Sequence, residues 1–307
     1  MISKFFKKST PVHFVLVLLG LFVGFGIANY RLSSEVSILW AVQKLGIFII
    51  CFAALFVFEF FSSKNKLTQK NSYNLLFYGL FMLLMLQTLT HTKLIVAHFF
   101  ILLALRRLVS LRSQKDVKKK ILDAAIWISL ASLFYFWSIL FFVILYAALV
   151  LYVINGTKNW LIPVVGALSV GLIGCTVLIL LGIPVLYFIQ QINTSISLDF
   201  SALNTRQIII GATCYLSYFV WASVYYLFNI KNKAKNYRPS YMLILLTAII
   251  GLLIIGIAPE KTGAEFIFLV GPLALIVTNY VEHISEKWFR EILIWLLIVA
   301  TGFGLIL

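Results

Sequence analysis

The chain has 307 residues, of which 62% are hydrophobic and only 11% charged, and its mean hydropathy is +1.04. A soluble domain is nearer half apolar and a quarter charged, so there are too few charges here to cover a water-facing surface. A soluble two-domain enzyme, a secreted disulfide scaffold and a disordered tail protein are excluded; an all-α, polytopic membrane bundle remains. The formal charge of +15 would suggest nucleic acid in a soluble protein. No basic segment interleaves with aromatics as a stacking platform requires, so no nucleic-acid partner is expected. The habit of cytoplasmic loops to collect Lys and Arg accounts for the charge.

At the N-terminus Lys4, Lys7 and Lys8 precede an apolar run over 12–27. This has the outline of a secretion signal, but Ala28-Asn29-Tyr30-Arg31 offers no A-x-A cleavage site, and the run reads as a retained first helix. A bilayer core about 30 Å thick takes around 20 helical residues. Runs of that kind fall at 12–29, 38–61, 73–89, 94–111, 161–181, 208–230, 240–258, 266–280 and 291–307. They lack the alternation of a membrane β-barrel. Cys51, Cys175 and Cys214 sit in or beside such runs without a CxxC pair, so neither metal nor redox cofactor is expected.

The segment 121–154 has Asp123 as its only charge and would make roughly 51 Å of helix at 1.5 Å per residue. That is too long for one span and short for two. A single crossing would put Lys231, Lys233, Lys235 and Arg238 opposite Lys115, Lys118, Lys119 and Lys120; a hairpin puts both clusters in one compartment. The group Phe134-Tyr135-Phe136-Trp137-Ser138 suits an interfacial turn, so the segment is expected to double back there, for about eleven spans. On that map 20 of the 25 basic residues share one side, and Arg31, Lys44, Lys93, Arg206 and Lys261 lie on the other. The N-terminus is then cytoplasmic.

No internal repeat or linker divides the single domain 1–307. The longest stretch outside the spans, 184–207, is expected to be an extracytoplasmic loop. Its start, 184–189, would lie flat in the interface, and the loop is a candidate lid because long loops carry function more often than they hold a fold.

Ionisable groups at membrane depth are costly and usually functional. Lys44, beside Gln43, either snorkels outward or touches a substrate. Glu59 neighbours the basic loop 62–72, and Asp123 reads as a carboxylate favoured at a helix N-terminus. Gln87, His91, Lys93 and His98 gather polarity at the outer ends of two spans; His98 is either an interhelical hydrogen-bond partner or part of an outer cavity. The run Glu282-His283-Ile284-Ser285-Glu286-Lys287 has the wrong order, in one copy, for a di-iron bundle, and reads as a connector with an ion pair between Glu286 and Arg290. The outer face also carries Glu35, Asp199, Glu260 and Glu265 with Arg31, Lys93, Arg206 and Lys261. Multi-span glycosyltransferases use such a set, with an external carboxylate as base and cations on a lipid diphosphate. On that reading Glu35 and Asp199 are the catalytic candidates and Lys93, His98, Arg206 and Lys44 the ligand-binding ones. Scattered interface charges are the alternative, and no metal site is expected.

The stretch 91–166, through Ala104-Leu105-Arg106-Arg107-Leu108, Ala131-Ser132-Leu133-Phe134-Tyr135-Phe136 and Trp160-Leu161-Ile162-Pro163-Val164-Val165-Gly166, together with Phe5-Phe6-Lys7-Lys8-Ser9-Thr10-Pro11-Val12, resembles an uncharacterised family of multi-span inner-membrane proteins of Bacteroidota. The resemblance covers roughly the first half of the chain. It implies a bacterial inner-membrane location and no established activity, so no functional residue is carried over. Some members bear a carotenoid-cleaving oxygenase name; that chemistry needs four histidines on one iron, and here His13 and His283 map opposite His91. Three functions stay open: a non-catalytic component assisting envelope biogenesis, an enzyme acting on a lipid-linked saccharide at the outer face, and a transporter with a polar path through the midplane. Membrane lipids, a lipid-linked substrate or other membrane proteins are the expected partners.

Overall fold

The computed structural model describes residues 2–31, 37–259 and 261–306, and every regular element among them is helical. A short α1 (Ile2–Phe6) leads into α2 (Pro11–Arg31), α3 (Ile38–Lys64), α4 (Tyr73–Leu84), α5 (Thr92–Ser110), α6 (Val117–Phe134) and α7 (Phe141–Leu151). Then follow α8 (Thr157–Leu180), a short α9 (Val185–Gln190), α10 (Arg206–Ile230), α11 (Arg238–Ile257), α12 (Ile267–His283) and α13 (Lys287–Ile306). Among the described residues eight helical stretches are long and apolar enough to cross a bilayer: those built on α2, α3, α5, α8, α10, α11, α12 and α13. The count falls below eleven because α4 and α7 are short and α6 spends its first two turns on Lys118, Lys119, Lys120 and Asp123.

The bundle is organised around α12, which α4, α5, α10 and α11 cover. Its sequence carries no charge before Glu282, and a helix apolar all round suits a buried position. Phe58, Phe77, Tyr78, Phe81, Phe141, Tyr215 and Phe268, each under 2% exposed, fill the middle. The peripheral helices turn Leu19, Val42, Leu172, Val220 and Val299 outward, the surface a bilayer requires.

Hydrogen bonds sort the connections into two ends. At the first, Tyr73 Oη donates to the Ser3 carbonyl at 2.6 Å, Arg112 Nη1 to Asn65 O at 3.2 Å, and Asn279 Nδ2 to Leu67 O at 2.9 Å, while Tyr152 Oη and Ser240 Oγ lie 2.8 Å apart. At the second, Asn29 Nδ2 donates to Leu89 O at 3.1 Å, Gln207 Nε2 to Gly304 O at 2.7 Å, and Lys261 Nζ to Ser197 O at 2.5 Å. The helices α2 to α8 and α10 to α13 run alternately between these ends. The lysine-rich connections gather at the first end; Arg31, Lys93, Arg206 and Lys261 stand at the second.

The chain doubles back where the aromatic group predicts. α6 stops at Phe134, Tyr135 is extended (φ −146°, ψ 105°), and a 3₁₀ turn over Phe136–Leu140 leads into α7. Gln114 Nε2 donates to Tyr152 O at 3.1 Å and Tyr152 Oη to Val109 O at 3.2 Å, so the residue ahead of α6 meets the residue after α7. Neither Gly nor Pro makes the break; the Tyr135 ring turns inward and stacks on Phe268 at 5.6 Å. A second break follows α4, where Thr88 Oγ1 donates to the carbonyls of Met82 and Met85 at 3.0 and 2.8 Å. That hydroxyl serves acceptors that the helix end leaves open.

Two expectations are corrected. α6 begins at Val117, so Asp123 stands beyond its first turn and pairs with Arg107 Nη2 at 2.8 Å. The pair between Glu286 and Arg290 does not form, because α13 starts after Glu286 and the Arg290 guanidinium turns back to the carbonyl of Ile284.

α8 approaches α6 at Gly166, where an added Cβ would sit 2.7 Å from the Ala125 Cβ, whereas nothing lies within 4 Å of one at Gly171. Small residues permit such backbone approach. Gly166→Ala should therefore cost roughly 1–3 kcal/mol, read as a lower thermal midpoint in detergent, and Gly171→Ala should leave it unmoved. Equal midpoints would contradict the packing described.

Candidate functional site

At the lysine-poor end three segments meet around a cleft of about 260 Å³: Lys93 on the first turn of α5, the aromatic turn 132–137, and Phe188, Gln191, Ile192 and Asn193 on and after α9. Pro259, just past α11, closes one side. Each part is placed by local rules. Lys93 falls on the first helical turn after the break that Thr88 caps, so its long side chain is exposed. In the turn the Tyr135 ring stacks on Phe268 and Trp137 is buried, while Phe134 stays exposed. α9 buries no residue and leaves Leu186, Tyr187 and Ile189 exposed, as a segment lying in an interface does. The strand-like chain after it is tied down by Ser197 N donating to Ile257 O at 3.2 Å and by Lys261 Nζ.

Trp137 is 7% exposed, and its Nε1 has no hydrogen-bond partner, although a buried indole N–H ordinarily finds one. The cleft thus offers one ammonium and aromatic walls. Its volume lies below the roughly 300–1,000 Å³ of small-molecule sites, enough for a head group or a chain end. Among the described residues no carboxylate lines it.

Of the charged and histidine candidates among the described residues, only Lys93 lines the cleft. His98 lies deeper on α5, 2% exposed, with Nε2 3.1 Å from Tyr78 Oη of α4 and its ring edge-on to Phe268 at 6.4 Å. It is an interhelical partner, apart from the outer cavity. Asp199 is exposed, and its carboxylate accepts from Ser201 N at 2.9 Å. The Ser201 backbone and hydroxyl, helped by the charge of Lys261, hold its carboxyl below the usual range. A general base works best near the ambient pH, so this environment makes Asp199 a poorer one. Arg206 is exposed at the start of α10, which Thr205 caps, and Lys44 is half-buried on α3; neither lines the cleft. Glu265 is buried, accepting from Thr262 N at 3.2 Å and Thr262 Oγ1 at 3.0 Å. Glu35 and Glu260 lie outside the described residues.

Trp137, Phe188, Gln191 and Asn193 were not singled out as ligand contacts, though the aromatic turn and the long loop that carry them were. Among the described residues no three His, Cys, Asp or Glu side chains group to hold a metal ion. His13 bonds Ser72 at 3.0 Å and His283 the Asn279 carbonyl at 2.7 Å, both at the lysine-rich end, away from His91.

Residues 1–303 match a family of unknown function, DUF6427, so the likeness extends well beyond the first half of the chain. No curated protein and no solved structure matches.

Replacing His98 by Leu leaves the buried Tyr78 hydroxyl unpaired, which should cost about 1–3 kcal/mol. Adding Tyr78→Phe removes the orphaned hydroxyl and should restore part of the lost thermal midpoint in detergent. A double variant no more stable than His98→Leu alone would show that this contact contributes nothing.

Proposed function

The chain belongs to the family of unknown function DUF6427, and we propose that it is a multi-pass protein of the bacterial inner membrane. In this reading it has about eleven spans, a cytoplasmic N-terminus and a non-catalytic part in envelope biogenesis, holding the head of an amphiphile at its outer face. The observation that carries the reading is the cleft, where Lys93 meets the aromatic turn beneath the loop 184–207. An ammonium beside aromatic walls suits a ligand with an anionic or polar head on an apolar body. The segregation of Lys and Arg supports the orientation. The short α4, α6 and α7 are taken as spans because their breaks are covered by protein, the setting in which irregular backbone is tolerated at depth.

The aromatic middle of the bundle argues against transport, which calls for polar groups across the midplane. A lipid-linked transferase is the second reading, favoured by Lys93 standing in a cleft near the loop that bears Asp199. It requires Asp199 or Glu35 to reach the cleft.

In a cysteine-free background, an impermeant maleimide should label Asn193→Cys in intact cells, and Gly156→Cys and Asn232→Cys only after permeabilisation. Labelling of either of the latter two from outside overturns the orientation. Lys93→Ala should reduce amphiphile co-purifying with the protein about tenfold, the size of one lost charge-assisted contact, measured by native mass spectrometry. Asp199→Ala should leave growth and envelope glycans unchanged; their loss with folding intact would favour the transferase.

A further inference from the structure

At the lysine-rich end a separate cavity of about 280 Å³ is enclosed by the last turns of α3 and α5, the turn Leu111–Ser113 and the start of α6. Five cations line it, Lys64, Arg106, Arg107, Arg112 and Lys120, together with Phe60, Asn65, Ser110 and Ser113, and no carboxylate does. Arg107 is held by Asp123; among the described residues that is the one ion pair formed. Lysines scattered over a cytoplasmic loop are ordinary, and Lys118 and Lys119, exposed on the same helix, are of that kind. Convergence of five cations on one cavity is different, because like charges a few ångströms apart repel unless an anion sits among them.

The contacts that hold the other four side chains are neutral. Lys64 Nζ and the Arg106 guanidinium lie 5.1 and 5.0 Å from the centre of the Phe60 ring. Lys120 Nζ donates to Ser110 O at 2.7 Å and Ser113 Oγ at 2.6 Å, and the Arg112 guanidinium, bonded to Asn65 O, lies 3.9 Å from the centre of the Tyr237 ring. The cations are thereby positioned with Asp123 on Arg107 and Asp116 near Lys120, while Lys64, Arg106 and Arg112 form no ion pair with a described carboxylate.

A second observation specifies the ligand. A groove of about 380 Å³, lined by Phe14, Phe56, Glu59, Phe60, Ser63 and Lys64, shares Phe60 and Lys64 with the cavity. Its walls are chiefly aromatic, Phe56 and Phe60 are exposed, and its one carboxylate, Glu59, is engaged by Asn74 Nδ2 at 2.5 Å. A head group among the cations therefore has an apolar channel beside it, along the face of α3 turned toward lipid. We propose that this pair of cavities binds an anionic phospholipid, its phosphate among Arg106, Arg112, Lys64 and Lys120 and an acyl chain in the groove beside Phe56. Guanidinium forks match phosphate oxygens in pairs, and basic pockets between helices on the cytoplasmic side are the usual place for such head groups. A soluble phosphate compound would meet the same cations and leave the groove unused.

The test uses the full chain in a neutral detergent, titrated with phosphatidylglycerol, phosphatidylcholine or pyrophosphate, with thermal midpoint and native mass spectrometry as readouts. Phosphatidylglycerol should raise the midpoint and appear as a bound adduct, and the other two should not. Lys64→Gln with Arg106→Gln should weaken that binding at least tenfold. Lys118→Gln with Lys119→Gln, which removes the same charge outside the cavity, should change it less than twofold. Equal loss in the two double variants would reduce the effect to a diffuse field and overturn the site. Pyrophosphate matching phosphatidylglycerol would overturn the assignment to a lipid, and absence of any midpoint shift would overturn both. Should the first double variant not fold, Ser113→Glu places a carboxylate among the cations; it should raise the ligand-free midpoint and abolish the lipid-dependent rise, and a persisting rise would overturn the proposal.

Discussion

Backbone N–H and C=O groups need partners wherever a helix stops, and the two interrupted helical segments show how this chain meets that constraint. Met85 and Tyr135 both leave helical conformation, and each interruption is lined by protein. Thr88 supplies a hydroxyl to the carbonyls at the end of α4, and the Tyr135 amide still donates to Ala131 O at 2.9 Å. Because both breaks are satisfied in place, the chain reverses within a few residues without a long loop. At the lysine-poor end these two breaks stand beside the longer loop 184–207, and the cleft is the space between the break at Tyr135 and that loop.

Charge placement follows from the same geometry. With α4 and α6 each followed by a tight break at the lysine-poor end, the connections 65–72, 111–116, 152–156 and 231–237 fall at the other end, and most Lys and Arg fall with them. The first end is consequently a dense hydrogen-bonded cap in which α1 joins α13 through Ser3 Oγ donating to Glu291 Oε1 at 2.6 Å, and the loop 65–72 joins α12 through Glu282 accepting from Asn71 Nδ2 at 2.7 Å. Glu59, Glu282 and Glu291 accept from neutral donors there. Asp123 on Arg107 and Asp116 near Lys120 are then the acidic neighbours of the cations around Ser110 and Ser113.

Hydropathy made the long helices legible, and the parity of the lysine clusters made the reversal at Tyr135 legible before any coordinate. Lateral order was not. In a bilayer a helix facing lipid and a helix facing other helices are both apolar, so amphipathicity no longer distinguishes outside from inside. α8, more apolar than α12, lies at the periphery, while α12 is sealed within. For the same reason the sequence grouped Lys93 with His98 on one helix, although their neighbours differ: Lys93 meets residues about forty and about a hundred positions downstream, and His98 meets Tyr78. Asp123 was assigned to a helix dipole because its partner Arg107 lies across a turn whose closure periodicity does not report.

The two sites share one helix. α5 carries Lys93 at its first turn and Arg106 and Arg107 at its last, about 20 Å apart along the axis at 1.5 Å per residue. Between them Ala97, His98, Ile101, Leu102 and Leu105 are buried, and α3 and α6 pack along its sides. Coupling between distant sites needs an element with two discrete arrangements. A continuous helix clamped at midheight by the contact between His98 and Tyr78 supplies one arrangement, and the buried aromatic core around it resists small displacements. On the two proposals above, each end binds on its own terms, and α5 is the spacer that fixes the distance between them.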